Sequence, residues 1–427
     1  MMHPLDNIIK GADCIIAQNE ESRASEDELL KLWTPQMREF VQQHANDDVS
    51  DLLLSASKYK GIDMPFAARQ IEARRRLRDK LPEWYANPDL VMGGRVPAEQ
   101  CSSEDTARFK RGIISGNSLC DLTGGMGVDF WYMSEGMQRA IYTERSAMLC
   151  EAARHNFSAL ATDGVERVVR CGDGRELPLP DVDVIYLDPA RRAVDGSRVY
   201  AIEDCEPNVV DWQDALREHA RMVLVKLSPM IDITDMIKKL RCVTDVYIVG
   251  VRNECKEVLV KMNGTSVPTA EDAPDVMMHC VDFMPSGIVA HEYSMSCQPQ
   301  PTVASAGVLR FLYEPDVTLM KAQAFGSLCQ RYDVSQLDYD THLMTSDSFV
   351  ADFPGRRFEV KECVPCTSRA LKQLRRSIPK ANVAARNFIL TADQLKKRAS
   401  IKDGGDVYLF GAKVKDQGDM LIQCGKA

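Results

Sequence analysis

The chain has 427 residues, of which 45% are hydrophobic, so it is long and apolar enough to build roughly two to four globular domains. Its formal net charge of −9 argues against a uniformly basic nucleic-acid-binding protein, and no segment approaches the roughly 20 apolar residues that a membrane span needs. The first residues also lack a long apolar stretch, so we expect a soluble, cytoplasmic protein.

The first part of the chain, residues 1–98, is predicted to be a helical region. Residues 25–39 begin with a helix-capping signal and carry apolar side chains at helical spacing, with Pro35 as an interruption. Residues 66–81 form a second amphipathic helix, and most of its arginines, Arg74 among them, are expected to face solvent.

A glycine-rich loop that follows a short apolar run is the most informative feature of the chain. The run ends at Asp121, and three glycines precede a helix-like segment: Gly124, Gly125 and Gly127. Glycine has no Cβ, so such a turn can take φ > 0 and its backbone can lie directly against a bound nucleoside. The dinucleotide fingerprint G-x-G-x-x-G is incomplete, because Phe130 stands where its third glycine belongs.

Further acidic residues follow predicted strands in chain order. Strand 139–143 ends at Glu144, the run 165–169 leads into Gly172 and Asp173, and the buried strand 182–187 runs into Asp188. Such side chains lie at the carboxyl ends of parallel strands, where open α/β sheets bind ligands. In a purely structural alternative, the glycines tighten a turn and the acids cap helices, but this leaves the ordered spacing unexplained.

The spacing D-x-x-x-G-x-G, from Asp121 to Gly127, resembles motif I of the class I S-adenosylmethionine-dependent methyltransferases. The resemblance implies S-adenosylmethionine as the cofactor, with Glu144 accepting both ribose hydroxyls and Asp173 accepting from the adenine amino group. It also places Asp188 at motif IV, beside the transferred methyl. The cofactor-binding set that it implies is Asp121, Thr123, Gly124, Gly125, Gly127, Glu144, Gly172, Asp173 and Asp188.

The rest of the predicted core, residues 99–266, continues with a helix at 211–220 and a strand at 222–227. Two closely spaced strands, 245–249 and 257–262, suit the antiparallel hairpin that ends a class I methyltransferase sheet. The predicted fold is therefore α/β, with a Rossmann-like class I methyltransferase core.

Two smaller α+β units are predicted after the core. Residues 275–355 form a ferredoxin-like unit with a strand at 310–313 and a helix at 317–329. Residues 356–427 carry 16 Lys and Arg against 7 Asp and Glu, so this last unit has a net charge of +9 and residues 1–355 have −18. A basic unit beside an acidic body is typical of a surface that binds phosphates.

As a whole, the chain resembles bacterial methyltransferase-like proteins with a C-terminal THUMP-like domain. The matching segments include DLTGGMGVD at 121–129, LDPARR at 187–192 and DFPGRRF at 352–358. The resemblance implies methylation of RNA, either tRNA or rRNA, bound by the C-terminal domain. The expected RNA contacts are Arg192, Arg356, Arg357, Arg369, Lys372, Arg375, Arg376, Lys380 and Arg386.

Motif IV narrows the expected chemistry. Enzymes that methylate exocyclic amines carry Asp/Asn-Pro-Pro-aromatic, whereas Ala190 and Arg191 follow Pro189 here. Asp-Pro-Ala-Arg also resembles motif IV of uridine C5 methyltransferases, but the nucleophilic cysteine that those enzymes need after the next strand is absent from residues 225–229. We therefore expect direct transfer to a base nitrogen or oxygen, with Asp188, Pro189 and Arg191 as the catalytic group.

Two other functions remain open: a noncatalytic RNA-binding or assembly factor that retains the fold, and a methyltransferase acting on protein or a small molecule. The 14 cysteines are scattered, often in apolar runs, which is typical of reduced thiols. One close pair, Cys363 and Cys366, is interpreted as two ordinary thiols because no second metal-binding pair follows at a usable spacing. No metal is expected.

Overall fold

The structure is a computed structural model that describes residues 29–191, 201–266 and 275–427. It divides into two compact units: residues 1–243 with 260–272, named the core unit here, and residues 244–259 with 273–427, named the C-terminal unit. The chain passes between the units within two long strands, Val243–Val251 and Glu254–Asn263. None of the helices in the described ranges is long and apolar enough to cross a bilayer.

The core unit begins with helices, as predicted. Pro35 interrupts the helical segment as predicted: residues 29–32 are helical, residues 33–34 are not, and a new helix begins at Pro35. A proline in the first turn needs no backbone donor, and the Thr34 side chain accepts from Met37 N. Trp33, Phe40 and Phe66 pack into the core of this region. Its helices are α1 (Pro35–Gln43), α2 (Val49–Leu54), α3 (Met64–Leu77), α4 (Pro82–Ala86), α5 (Arg95–Gln100) and α6 (Glu104–Ile113).

One arginine of α3 is buried, contrary to the expectation that its arginines face solvent. Arg74 is 7% exposed, and its guanidinium donates to the carbonyl oxygens of Tyr85, Asn87 and Leu90. Burial lowers the pKa of Arg74 to about 10. The helical period places Arg74 on the same face as the buried Ile71. Its guanidinium therefore points into the protein, where it holds the loop that follows α4 by hydrogen bonds to backbone carbonyls.

After its helical region, the core unit contains β1 (Ser118–Asp121), α7 (Val128–Met133), β2 (Arg139–Glu144), α8 (Ala147–Leu160), β3 (Glu166–Cys171), β4 (Val182–Leu187), β5 (Ala190–Arg191), β6 (Cys205–Glu206), α9 (Val209–Glu218), β7 (Ala220–Leu227), α10 (Ile233–Lys239), β8 (Val243–Val251) and β9 (Glu254–Asn263). Five parallel strands form its centre, in the order β7-β4-β1-β2-β3. The pairs β1–β2, β2–β3, β1–β4 and β4–β7 are all parallel, so the order reverses between β1 and β4.

This topology confirms the predicted Rossmann-like core. The crevice outside the carboxyl ends of the strands, at the point where strand order reverses, is the ligand site of open α/β sheets. Asp121 ends β1, and Asp188 follows β4 directly. The two acids therefore flank the switch point.

The C-terminal unit contains two sheets. The first has the order β11-β10-β8-β9, with β10 parallel to β8 and antiparallel to β11. The second has the order β13-β14-β12-β15-β18-β17-β16, and α13 and α14 cover one of its faces. The elements are β10 (Met277–Met284), β11 (Gly287–Ser294), β12 (Phe311–Pro315), α11 (Val317–Lys321), α12 (Phe325–Tyr332), β13 (Ser335–Asp338), β14 (Thr341–Ser346), β15 (Gly355–Pro365), α13 (Ser368–Ser377), β16 (Lys380–Arg386), α14 (Ala392–Ala399), β17 (Lys402–Val414) and β18 (Gly418–Lys426).

Local backbone conformation decides two features of the C-terminal unit. The single helix predicted at 317–329 is two helices, α11 and α12, because Gln323 adopts φ 54° and a left-handed residue cannot continue a right-handed helix. The predicted hairpin of β8 and β9 is present, and its turn places Arg252 and Asn253 at positive φ.

Candidate functional site

The loops after β1 and β4 are joined directly by hydrogen bonds. Asp188 N donates to Thr123 Oγ1 at 2.6 Å, and Leu122 N donates to Tyr186 O at 3.0 Å. Motif I and motif IV, which are 65 residues apart in sequence at Thr123 and Asp188, therefore form one wall of the crevice.

Asp121 is a buried carboxyl group at this wall. It is 1% exposed, and its Oδ1 accepts from Thr123 N at 2.9 Å. Burial raises the pKa of Asp121 well above its ordinary value, and the neighbouring carboxylates of Asp129, Asp188 and Glu144 raise it further. A cation that binds beside Asp121 would stabilise the ionised form of this carboxyl group.

The three glycines of the loop have different structural roles. A Cβ on Gly124 would overlap the ring of Tyr142, and a Cβ on Gly127 would lie 2.7 Å from Phe157. These two glycines are therefore required by the packing of the protein itself. Gly125 adopts φ +55°, and its Cβ would meet no described atom nearer than Thr123 O at 3.9 Å. Of the three, Gly125 is the one with open space where a side chain would stand, while its N–H donates to Glu144 and its C=O accepts from Tyr142.

The two acids expected to hold the nucleoside have different surroundings. Glu144 Oε2 accepts from Gly125 N at 2.9 Å, and its Oε1 accepts from Ser146 N at 2.8 Å. Each carboxylate oxygen can accept one further hydrogen bond, so Glu144 has room for two hydroxyl donors. Asp173 is paired with Arg175 at 2.6 Å, and hydrogen bonds from this guanidinium lower the pKa of Asp173 to about 2.

A network of charged side chains that the sequence did not reveal lies behind Asp188. Lys226 Nζ is 2.5 Å from Asp188 Oδ2 and 3.5 Å from Asp129 Oδ2. Lys110 Nζ is 3.2 Å from Asp129 Oδ1 and is fully buried. Burial opposes ionisation of Asp129, yet the ammonium groups of Lys110 and Lys226 outweigh it and hold the pKa of Asp129 far below its ordinary value.

Two hydroxyl groups complete this network. Ser102 Oγ and Tyr186 OH each donate to Asp129 Oδ2 at 2.8 Å. The sequence signal for the network was weak: Lys226 is the charged residue in an otherwise apolar strand at 222–227, and a buried charge requires a partner. That partner, Asp129, follows the glycine loop and lies in the first turn of α7.

The donor set fits the cofactor that the motifs imply. Four carboxylates converge at this end of the sheet, and two lysines oppose them: the acids are Asp121, Asp129, Glu144 and Asp188, and the bases are Lys110 and Lys226. The remaining negative charge suits a ligand with a sulfonium and an ammonium group, and the open space beside Gly125 suits its adenosyl portion.

The other motif IV residues are only partly described. Pro189 is buried directly after Asp188, and Ala190 pairs with Glu206 in the small β5–β6 ladder. The side chain of Arg191 and the whole of Arg192 lie outside the described residues. Their expected roles in catalysis and RNA contact stay predictions.

Basic residues of the C-terminal unit fall into two groups. The first lies on α13 and at the start of β16, is exposed, and makes no ion pair to any carboxylate of the described residues: Arg369, Lys372, Arg375, Arg376 and Lys380. In the second group, Arg356 and Arg386 both pair with the buried carboxylate of Glu314. Arg357 donates to Ala351 O.

A groove lies beside the second group. It has a volume of about 670 Å3, and its lining includes Arg356, Arg386, Asn387 and Phe388. Because Glu314 compensates part of the arginine charge, the groove is less basic than the sequence count suggested. The exposed face of α13 is therefore the stronger candidate for phosphate contact.

Cys363 and Cys366 are both free thiols. Burial raises the pKa of Cys363 to about 11 and also raises the pKa of Cys366. Neither is activated as a nucleophile. Within the described ranges, no three His, Cys, Asp or Glu side chains are grouped so as to hold a metal ion.

Comparison with known proteins finds relatives over most of the chain. A family described as a ferredoxin-like domain matches residues 311–354, and one described as THUMP domain-like matches residues 355–426. The crystal structure of a protein from Porphyromonas gingivalis W83, assigned as a methyltransferase, is 33% identical, with a TM-score of 0.81, and the match covers 92% of this chain and 97% of that one.

Relatives are also found in Mycobacterium tuberculosis. Proteins of strains CDC 1551 / Oshkosh and ATCC 25618 / H37Rv, both named as uncharacterized S-adenosylmethionine-dependent methyltransferases, are 23% identical over 347 residues. Each match covers 80% of this chain and 90% of the relative.

Proposed function

Because the chain belongs to the family of class I S-adenosylmethionine-dependent methyltransferases with a C-terminal THUMP-like domain, we propose that it methylates RNA at a nitrogen or oxygen atom. S-adenosylmethionine is its cofactor. The observation that carries the proposal is the open carboxylate oxygen of Asp188 at the switch point of the sheet: Oδ2 is paired with Lys226, and Oδ1 accepts no hydrogen bond from a described residue.

The cofactor, when bound, supplies an electrophilic methyl group on its sulfonium. The residues that would hold it are Asp121, Glu144 and the backbone of Gly125. Glu144 offers one further lone pair on each oxygen to the ribose hydroxyls, and Asp121 offers a negative charge in a dry environment. These groups bind the cofactor and orient its methyl group, and such positioning supplies most of the rate acceleration of a methyl transfer.

The role of Asp188 follows from its open oxygen. Its side chain is 37% exposed, so a substrate N–H or O–H can reach Oδ1. A carboxylate there accepts this hydrogen bond, turns a lone pair of the acceptor atom toward the methyl group, and takes up the proton that the acceptor loses. Since no cysteine follows in the next strand, direct transfer needs no covalent enzyme–base intermediate.

The RNA part of the proposal is supported by cations of the THUMP-like domain that pair with no carboxylate in the described ranges. Four of them, Arg369, Lys372, Arg375 and Arg376, repeat along α13 at spacings of three, three and one residues, and all four are exposed. A helix face of this kind presents several positive charges at once to a phosphate backbone. The overall charge of −9 therefore does not oppose an RNA substrate.

The test is transfer of labelled methyl groups to total RNA from cells that lack the gene. We expect the wild-type protein to label RNA, and Asp188→Ala to lose at least about 100-fold of the rate while its affinity for S-adenosylmethionine stays within about threefold. The matched control is Glu218→Ala, an exposed acid at the end of α9.

Other outcomes separate the competing functions. Cofactor binding with labelled protein but unlabelled RNA would replace the proposal by protein methylation. RNA binding with no cofactor binding would identify a noncatalytic factor. Nucleoside mass spectrometry of RNA from cells with and without the gene then identifies the modified base.

A further inference from the structure

Asp188 is held at two points. Its backbone N–H donates to Thr123 Oγ1 at 2.6 Å, which fixes the main chain relative to the glycine loop. Its Oδ2 accepts from Lys226 Nζ at 2.5 Å, which fixes the rotation of the carboxylate. None of the described residues donates to Oδ1, so Lys226, by holding Oδ2, sets the direction in which Oδ1 faces a substrate.

Lys226 is itself immobilised. Its side chain is 12% exposed, and its Nζ lies within reach of Ser102 Oγ at 3.3 Å and Asp129 Oδ2 at 3.5 Å, in addition to Asp188. A lysine side chain in solvent samples many rotamers, and here that freedom is already lost before any substrate arrives. The ammonium group therefore acts as a fixed anchor.

The network does not need Lys226 to neutralise Asp129. Lys110, fully buried, lies 3.2 Å from the other oxygen of Asp129, and two hydroxyls donate to that carboxylate. A structural counter-ion is thus present without Lys226. Among the described residues, Lys226 is the one that pairs with Asp188 Oδ2.

We propose that Lys226 is a positioning residue that orients the Asp188 carboxylate, so that Oδ1 faces the N–H or O–H group of the acceptor atom. This inference rests on the proposed function, in which Asp188 faces the acceptor. It adds a residue that no motif assigned, and it requires an acceptor atom that carries a hydrogen directed at the carboxylate.

The test uses Lys226→Met, which keeps the length of the side chain and removes the ammonium, and Lys226→Arg, which restores a positive donor. We expect Lys226→Met to bind S-adenosylmethionine within about threefold of wild type and to keep KM for RNA within about threefold. Its kcat should fall about 100-fold, the loss that a misplacement of about 1 Å causes, and Lys226→Arg should recover at least about tenfold.

The matched control is Lys239→Met. Lys239 on α10 also pairs with two carboxylates, Asp235 and Glu203, but its contacts lie outside the Asp188 network. We expect no change in kcat. If Lys226 had a purely structural role, Lys226→Met would instead lower Tm, and the loss of activity would not be confined to kcat.

A crystal structure of the full-length Lys226→Met protein provides a readout independent of activity. Rotation of the Asp188 carboxylate by more than about 30° from its wild-type position supports the inference. An unchanged carboxylate, or an unchanged kcat, overturns it. If the wild-type protein transfers no methyl group to RNA, the proposed function fails, and the orientation of Asp188 in the crystal still decides the role of Lys226.

Discussion

The phenolic hydroxyl of Tyr142 donates a hydrogen bond to the carbonyl oxygen of Gly125 at 2.5 Å, and the ring of the same tyrosine fills the space next to Gly124. Tyr142 lies in the middle of β2 and is fully buried. The neighbouring strand thus supports the glycine loop from beneath and holds its backbone in one conformation. The loop is therefore preorganised by packing before any cofactor binds.

Replacing Gly124 should destabilise the protein through packing alone. A Cβ at this position overlaps the Tyr142 ring, and such overpacking costs about 2 kcal/mol or more, which lowers Tm by roughly 5 °C. Gly112→Ala is the control, because Gly112 lies within α6 with open space around its Cβ and should be neutral or slightly stabilising. Differential scanning fluorimetry compares the two variants. Equal Tm values would show that the loop is not packed against Tyr142.

Cofactor affinity should rise with pH because of Asp121. Burial raises the pKa of this carboxyl group, so the free protein holds a proton there at pH values below that raised pKa. A cationic ligand favours the carboxylate, so binding releases the proton and affinity increases by up to about tenfold per pH unit. Calorimetry at pH 6, 7 and 8, in two buffers of different ionisation enthalpy, measures the release. Asp121→Asn should bind more weakly and show no pH dependence, and a flat wild-type profile would contradict the assignment.

The C-terminal unit should become less stable as pH rises because of the buried carboxyl group of Asp282, next to Asp316. Burial and the adjacent carboxyl group of Asp316 raise the pKa of Asp282 to about 7, so the folded state binds a proton more tightly than the unfolded chain. That stabilisation is complete below about pH 4 and is lost as pH rises through 7. We expect Asp282→Asn, which removes the buried charge, to raise Tm at pH 8 by roughly 5 °C and to leave it nearly unchanged at pH 5.

The control for this effect is Asp406→Asn, an exposed aspartate of β17. It should leave the pH profile of Tm unchanged. Thermal melts from pH 5 to pH 8 provide the comparison. A wild-type Tm that rises across this range would show that the two carboxyl groups do not share a proton.

RNA affinity should depend on the exposed cations of α13. Replacement of Arg369, Lys372 and Arg375 by Gln removes up to three phosphate contacts, and each contact contributes about 0.7 to the slope of log K against log salt for single-stranded RNA. We therefore expect the slope to fall by about 2. Lys396→Gln is the control, because Lys396 is already paired with Asp393 and Asp403. Filter-binding titrations at several salt concentrations measure the slopes, and an unchanged slope in the triple variant would exclude α13 from the RNA surface.

Sequence order alone was enough to bring the principal acids together. Asp121, Glu144 and Asp188 were each predicted to end a parallel strand, and the sheet places β1, β2 and β4 side by side. The period-two and helical patterns determine which segments become strands and helices, and the right-handed crossover rule then limits their arrangement. For this reason the fold class was predictable without any contact information.

The sequence did not distinguish among residues that share a type. Gly124 and Gly127 serve packing whereas Gly125 faces open space, and the difference depends on which ring lies behind each one. Arg356 and Arg386 counted as free positive charge until the fold placed Glu314 between them. Arg74 lies in the same arginine-rich helix as its exposed neighbours, and its guanidinium is paired by carbonyl groups of the loop that it anchors.

What the sequence by itself determined is therefore the α/β class, the strand-end acids and the basic character of the C-terminal domain, because these follow from local periodicity and composition. Tertiary structure alone decided the pairing of Lys226 with Asp188, 38 residues apart, and the fixed charge of Asp129 between two lysines. The physical reason is that a charge buried in a strand must find its partner across the sheet, and sequence spacing does not specify the distance between side chains on different strands.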